Sequence, residues 1–273
     1  MSRSVSRLAA AAGVVALGLT LAACTPAAEG DFVTPGKLTI ATGEPAYYPY
    51  VIDDAPETGE GFEAAVAYAV AEELGFAPED VVWVRTSFDG AIQPGPKDFD
   101  FNLQQYTITP ERAAQVDFSS PYYSADQAVI TIEGSAAASA TSIADLKDLL
   151  IGAATGTTSL LAVEQIIAPS AGAQVFNSND DAKLALESGQ VDAIVVDVPT
   201  AFFMTGVELD GGLIIGSLPE IEGQTDEWGL LLAKDSPLTE RVTAAVDALR
   251  ENGTLEALIA QWLGADQGVP VLQ

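Results

Sequence analysis

The chain has 273 residues, with 39 Asp and Glu against 11 Lys and Arg, no His and a single Cys, for a formal net charge of -28. The absence of His excludes Ser-His-Asp and Cys-His catalysis and zinc sites built on imidazole, one Cys excludes an intrachain disulfide or a thiolate cluster, and the acidic surplus makes a poor binder of nucleic acid. A hydrophobic fraction of 48% against 18% charged residues still provides for a folded core, in one large or two ordinary domains.

The chain opens as an export address. Arg3 and Arg7 make a positive start, and Leu8 to Leu21 is uncharged and rich in Ala, Val and Leu. That stretch is shorter than the ~20 apolar residues of a membrane-spanning helix and fits a secretory signal. It ends in Leu21-Ala22-Ala23-Cys24, which resembles the bacterial lipobox. The resemblance implies cleavage after residue 23 and diacylation of Cys24, which would fix the protein to a lipid bilayer on the outer face of the cytoplasmic membrane. The alternative is a plain signal peptide cut after Ala-x-Ala, with an incidental Cys. Residues 24–36 are rich in Pro, Gly and small side chains and read as a tether.

Strand and helix signals then alternate. Lys37 to Thr42 reads as a strand, and Gly43, Pro45 and Pro49 enforce a loop. Gly61 opens a helix whose stripe is Phe62, Val66, Val70 and Leu74, and Gly75 ends it. Val81–Val84, Asp100–Leu103, Ala128–Ile132 and Leu150–Ala154 read as strands. Ser142 caps a short helix with Asp145 three positions on. Thr155-Gly-Thr-Thr-Ser159 leads into a helix reaching about Ile167, and Ser178 caps another that Gly189 ends. Val191–Val196 is a buried-type strand ending at Asp197, and Pro199 sits where a first helical turn would begin. Trp228–Ala233 is a strand, followed by two amphipathic helices. The order is that of an α/β fold.

Gln105-Tyr-Thr-Ile-Thr-Pro-Glu-Arg112, followed by Val116-Asp-Phe-Ser-Ser-Pro-Tyr-Tyr123, resembles the polar amino-acid-binding proteins of ABC importers. Further pieces follow in that family's order: Gly61-Phe-Glu63, Gly156-Thr-Thr158, Gly189 to Ala193 with Asp197, Glu227-Trp-Gly229 with Lys234, and Asn252-Gly-Thr254 with Trp262. The resemblance spans nearly everything after residue 36. It implies a two-lobed fold of the periplasmic-binding-protein type II class, with the ligand in the cleft. Lobe 1 would comprise about 37–127 and 225–273, and lobe 2 about 128–224. It further implies a monomer without cofactor or metal that binds a free amino acid and delivers it to a membrane permease.

The same resemblance marks the binding residues. Arg112 would fork both oxygens of the ligand's α-carboxylate, the alternative being a surface Arg on a first helical turn. Thr107 and the backbone carbonyl of Gln105 would reach the ligand beside it. Thr157 and Thr158 would offer hydroxyls and free N–H groups at a helix start, where plain N-capping is the alternative. Asp197, at the C-terminal end of its strand, would pair with the α-ammonium or else cap the next helix. Tyr47 and Trp83 would stack on the ligand's side chain, against core packing for Trp83. Glu44 would meet a distal cation, or stand in a solvated loop. Two other readings use the same fold: a cleft enzyme such as a cyclohexadienyl or prephenate dehydratase, with Glu44 as general acid, and a lipid-anchored sensor that reports to a partner.

Overall fold

The computed structural model describes residues 30–221, 225–264 and 268–273. The export address and Cys24 lie outside the described residues. Among the described residues no helix is long and apolar enough to cross a membrane.

The first lobe contains β1 (Leu38–Gly43), α1 (Phe62–Glu73), β2 (Val81–Thr86), α2 (Phe88–Ile92), β3 (Phe101–Asn102), α3 (Pro110–Ala113) and β4 (Asp117–Ser124). The second contains β5 (Gln127–Ile132), α4 (Ile143–Leu146), β6 (Ile151–Ala154), α5 (Thr158–Ala162), β7 (Gln174–Phe176), α6 (Asn179–Glu187), β8 (Ala193–Asp197), α7 (Val198–Phe203) and β9 (Gly212–Ser217). The chain then returns through β10 (Glu227–Leu232), α8 (Thr239–Glu251) and α9 (Thr254–Trp262). Among the described residues these strands form two five-stranded sheets, ordered β2-β1-β3-β10-β4 and β7-β6-β8-β5-β9. Each sheet is mixed. β1 is parallel to β2 and β3, and β6 to β7 and β8, while β10 and β5 run antiparallel to their neighbours. This is a two-lobed α/β fold.

Apolar runs make the sheets buried on both faces. Leu38 and Ile40 of β1 pack with Tyr50, with Phe62, Val66 and Val70 of α1, and with Trp228. In the second lobe Val129, Ile151 and Val195 face one layer, and Ile130, Ile194 and Val196 face the other. The alternation along β5 and β8 thus serves two helix layers rather than one core and one solvent face.

Local signals hold the elements in place. Ser142 and Asp145 form a reciprocal capping box on α4. Ser178 accepts from the Asp181 N–H at 3.1 Å and caps α6. The helix entered at Thr158 changes character after one turn, passing from α5 into a π-helical turn over Val163–Ile167.

Two boundaries differ from the sequence reading. Residues 32–34, expected within the tether, are docked on the first lobe. Phe32 meets Phe76 edge-on at 5.1 Å, and the Val33 N–H donates to Asp100 at 2.9 Å. An aromatic inside a Pro/Gly-rich segment found an apolar partner. The end of the chain, expected in lobe 1, lies on lobe 2. Ser217 of β9 donates to the Pro270 carbonyl at 2.9 Å and accepts from the Leu272 N–H at 2.8 Å, and Leu272 is buried in the second core.

Candidate functional site

β1, β6 and β8 end at one cleft between the lobes, as the carboxyl ends of open α/β sheets do. The loop after β1, the turn after β6 and the last residue of β8 wall a cavity of about 290 Å³. That size suits a small ligand, since drug-sized pockets run to ~300–1,000 Å³. Several contacts cross the cleft and hold it closed. Arg112 Nη2 donates to the Gly156 carbonyl at 2.9 Å, Tyr50 Oη lies 3.0 Å from Thr200 Oγ1, and the Tyr48 ring stacks on Phe203 at 4.6 Å.

Arg112 is 8% exposed. Thr109 caps α3 by accepting from the Arg112 N–H at 3.2 Å, and Pro110 opens the helix without needing a donor of its own. The guanidinium donates to the Thr107 carbonyl at 2.7 Å and lies 5.4 Å from the centre of the Phe88 ring. Burial pulls its pKa down. It is the sole cation among the cavity's described lining residues, which include the acids Glu44, Glu63, Asp89 and Asp197.

Asp197 lines the cavity at the C-terminal end of β8. Its side chain does not cap α7. It accepts instead from Gln127 Nε2 at 2.6 Å. Burial, and then the carboxylate of Asp226, push its pKa up. Asp226 is pushed the same way by its own burial.

Gln105 and Glu63 form a hydrogen-bonded unit in the cavity wall. Gln105 holds a left-handed backbone at φ 52°. Its N–H donates to Glu63 Oε1 at 2.8 Å, its side-chain amide donates to Glu63 Oε2, and Tyr122 donates its hydroxyl to the same carboxylate. Glu63 is 2% exposed, and burial pushes its pKa up to about 7.

Thr157 and Thr158 line the cavity at the start of α5. Thr157 accepts from the Leu160 N–H at 3.1 Å, so it caps its helix as well as facing the cavity. Tyr47 and Glu44 also line the cavity. Burial and then Asp180 push the Tyr47 pKa up to about 12. Thr107 is buried behind the cavity rather than in its wall, and its hydroxyl donates to Asp226. Trp83 lies away from the cavity. Its ring packs edge-on to Tyr68 of α1 and its Nε1 donates to the Tyr68 hydroxyl at 3.3 Å. Strand parity sends Trp83 toward α1, while its neighbour Val84 faces the layer that holds Phe88.

Several residues of the cavity were not singled out in the sequence. Phe88 and Asp89 follow Ser87, which caps α2 by accepting from the Gly90 N–H, and that cap was the local signal. Glu63 stood inside Gly61-Phe-Glu63. Asn179 Oδ1 is buried without a hydrogen-bond partner beside the cavity. Gln127 and Asp226 meet from 99 positions apart, and no local pattern marks them.

Known proteins are similar along most of the chain. The L-arginine-binding protein of Pseudomonas aeruginosa is 29% identical over 231 residues, 82% of this chain and 86% of the relative. The glutamate-binding protein of Corynebacterium efficiens is 27% identical and covers 98% of this chain and 94% of its own length. Among solved structures, an ancestral arginine-binding protein bound to glutamine superposes with a TM-score of 0.68 at 31% identity, covering 84% of this chain and 98% of its own. An ancestral amino-acid-binding protein described as a precursor of cyclohexadienyl dehydratase gives 0.66 at 28% identity, covering 84% and 95%. The curated relatives named for amino acids are binding proteins, and the solved structures share the two-lobed fold found here. The family model of the bacterial extracellular solute-binding proteins, family 3, matches residues 38–265, and the chain belongs to that family.

Proposed function

We propose that this protein captures a free amino acid with a cationic side chain by hinge closure and hands it to an ABC permease. One observation carries the reading. Arg112 and Asp197 come from opposite lobes to one small cavity, and every other ionisable acid or base lining it is acidic. Arg112 takes the α-carboxylate through its planar fork, helped by Thr157 and Thr158 at the start of α5. Asp197 takes the α-ammonium, with the Gln105 carbonyl and Thr107 nearby. The side chain then runs between Tyr47 and Phe88 toward Glu44 and Asp89. A cation satisfies those acids, and its N–H groups suit the unpartnered Asn179 Oδ1. Trp83 has no part in this arrangement.

The cycle involves no covalent step. The open lobes offer Arg112 on one side, the ligand docks, and closure brings Asp197 and the α5 turn onto it, so that ligand shifts the population toward the closed form. Acylation of Cys24 would keep the protein beside its permease. The prephenate dehydratase reading has less support, because the named relatives are binding proteins.

Titration calorimetry on ligand-stripped protein tests the reading. L-Arginine, L-lysine and L-ornithine are expected to bind, while L-glutamate and the α-amide of arginine fail. Arg112→Ala and Asp197→Ala are each expected to weaken binding by at least ~100-fold, since removing one partner of a buried charge pair costs ~3–5 kcal/mol. Equal binding of the α-amide, or no binding by any free amino acid, would overturn it.

A further inference from the structure

Asp226 stands one residue ahead of β10, where the chain returns from the second lobe to the first. Its carboxylate accepts hydrogen bonds from three directions. Thr107 donates from the first lobe. Thr158 donates at 3.2 Å from the start of α5 in the second. Gln127 Nε2 donates from the outgoing crossing and also donates to Asp197 at 2.6 Å, so one amide group serves two carboxylates. Ser159 donates to Gln127 Oε1 at 2.6 Å and thereby fixes which end of the amide faces the acids.

This network has two properties that the ligand cavity does not explain. Asp226 lies outside the cavity wall and borders a small void of about 30 Å³ on the hinge side, with Gln127 and Thr158. Its partners Thr107 and Thr158 sit 3.3 Å apart across the lobes. Opening must separate them, so Asp226 holds both only in the closed form.

On the amino-acid-binding reading above, we propose that Asp226 is the closure-positioning residue of the hinge: it ties Thr107 to Thr158 behind the ligand and, through Gln127, sets Asp197 against the ligand's α-ammonium. The charges facing the pair give this tie a pH response. Arg112 faces both acids and favours their ionised forms, whereas Asp226 and then Glu63 disfavour ionisation of Asp197. Tyr50 faces Asp197 as a neutral hydroxyl, its own pKa pushed up by burial. Burial outweighs Arg112, and both carboxylates are raised. Ligand-free closure therefore takes up a proton, is favoured at low pH, and weakens as pH rises through the raised values. A ligand ammonium on Asp197 replaces that proton.

The test is small-angle scattering on the full chain at about pH 5 and about pH 8, with and without L-arginine, paired with titration calorimetry. The ligand-free wild type should have the smaller radius of gyration at the acid pH. Asp226→Asn keeps an acceptor for both threonines but removes one carboxylate and its repulsion of Asp197, so its ligand-free radius should respond to pH clearly less than that of the wild type. Asp226→Ala should remain open at both pH values and bind L-arginine about 10- to 100-fold more weakly, the range for a lost hydrogen-bonded charge. The proposal is overturned if Asp226→Asn keeps the wild-type pH response, or if Asp226→Ala closes and binds as the wild type does. Should Asp226→Ala fail to fold, the Asp226→Asn comparison decides. Should wild type bind no amino acid, the functional reading falls, while the ligand-free scattering still decides the role of Asp226.

Discussion

At the scale of single residues, Glu63 stands out because among the described residues no ion pair holds it. Backbone and side-chain donors from Gln105 and the Tyr122 hydroxyl surround it instead. Those bonds favour the carboxylate, but burial dominates and carries the group from 4.5 to about 7. A raised carboxyl pKa means that the folded state binds the proton more tightly. The stabilisation is complete below about pH 4.5 and is lost as pH rises through 7, on the order of 3 kcal/mol at full loss. Glu63→Gln should accordingly flatten the fall in the ligand-free melting temperature across that window; an unchanged slope in the variant would remove Glu63 as its source. At this scale much of the cavity lining was legible in the sequence. Arg112, Gln105, Thr157, Thr158, Asp197, Tyr47 and Glu44 all line the cavity, because each sits in or beside a short contiguous signature. Trp83 falls outside the cavity, because a motif does not encode which face of a strand an aromatic takes. Asp226 and Gln127 were missed because their partnership exists only once both crossings are in place.

Among the elements, α1 depends on the residue that precedes it. Gly61 has φ 105°, and a Cβ there would lie 2.5 Å from the Tyr50 carbonyl oxygen. That oxygen also accepts from the Glu63 N–H at 3.0 Å, so the loop cannot retreat without freeing a donor at the helix start. Gly61→Ala should cost about 2–3 kcal/mol from the backbone strain and the clash, read as a shift in the denaturant midpoint. A wild-type midpoint would mean that the loop moves freely. The major helices and the inner strands were readable from their periodicity and caps. The strands β4, β7 and β9 were not, and all three are sheet edges. An edge strand needs no continuous apolar run, and β4 even carries Pro121, which an edge tolerates because one side of its backbone has no ladder partner. β7 has only three residues, too few to set a period.

For the whole molecule, closure is distributed over the cleft rather than concentrated at the ligand. Arg112 to Gly156, Tyr50 to Thr200 and Tyr48 to Phe203 already join the lobes, and each must part on opening. The two crossings on either side of the second lobe were foreseeable from the sequence as family features. The third link was not. Trp262 of α9 packs against the first core, while Leu272, ten residues on, is buried in the second. The seat on β9 is shaped for it: a Cβ on Gly216 would come within 2.7 Å of both Leu272 and the Pro270 carbonyl. The tail is therefore a leash on the hinge. From Gly264 to Gly268 the chain can reach no farther than ~14 Å even when fully drawn out. Wider excursions must unzip the tail from β9 and α4 or fray the end of α9, so the leash resists a wide swing with the strength of three backbone hydrogen bonds and one buried leucine. The Leu272 amide thus becomes a natural reporter of gape. Its hydrogen exchange should slow when L-arginine saturates the cleft, and an exchange rate indifferent to ligand would mean that the lobes part without ever drawing the leash taut.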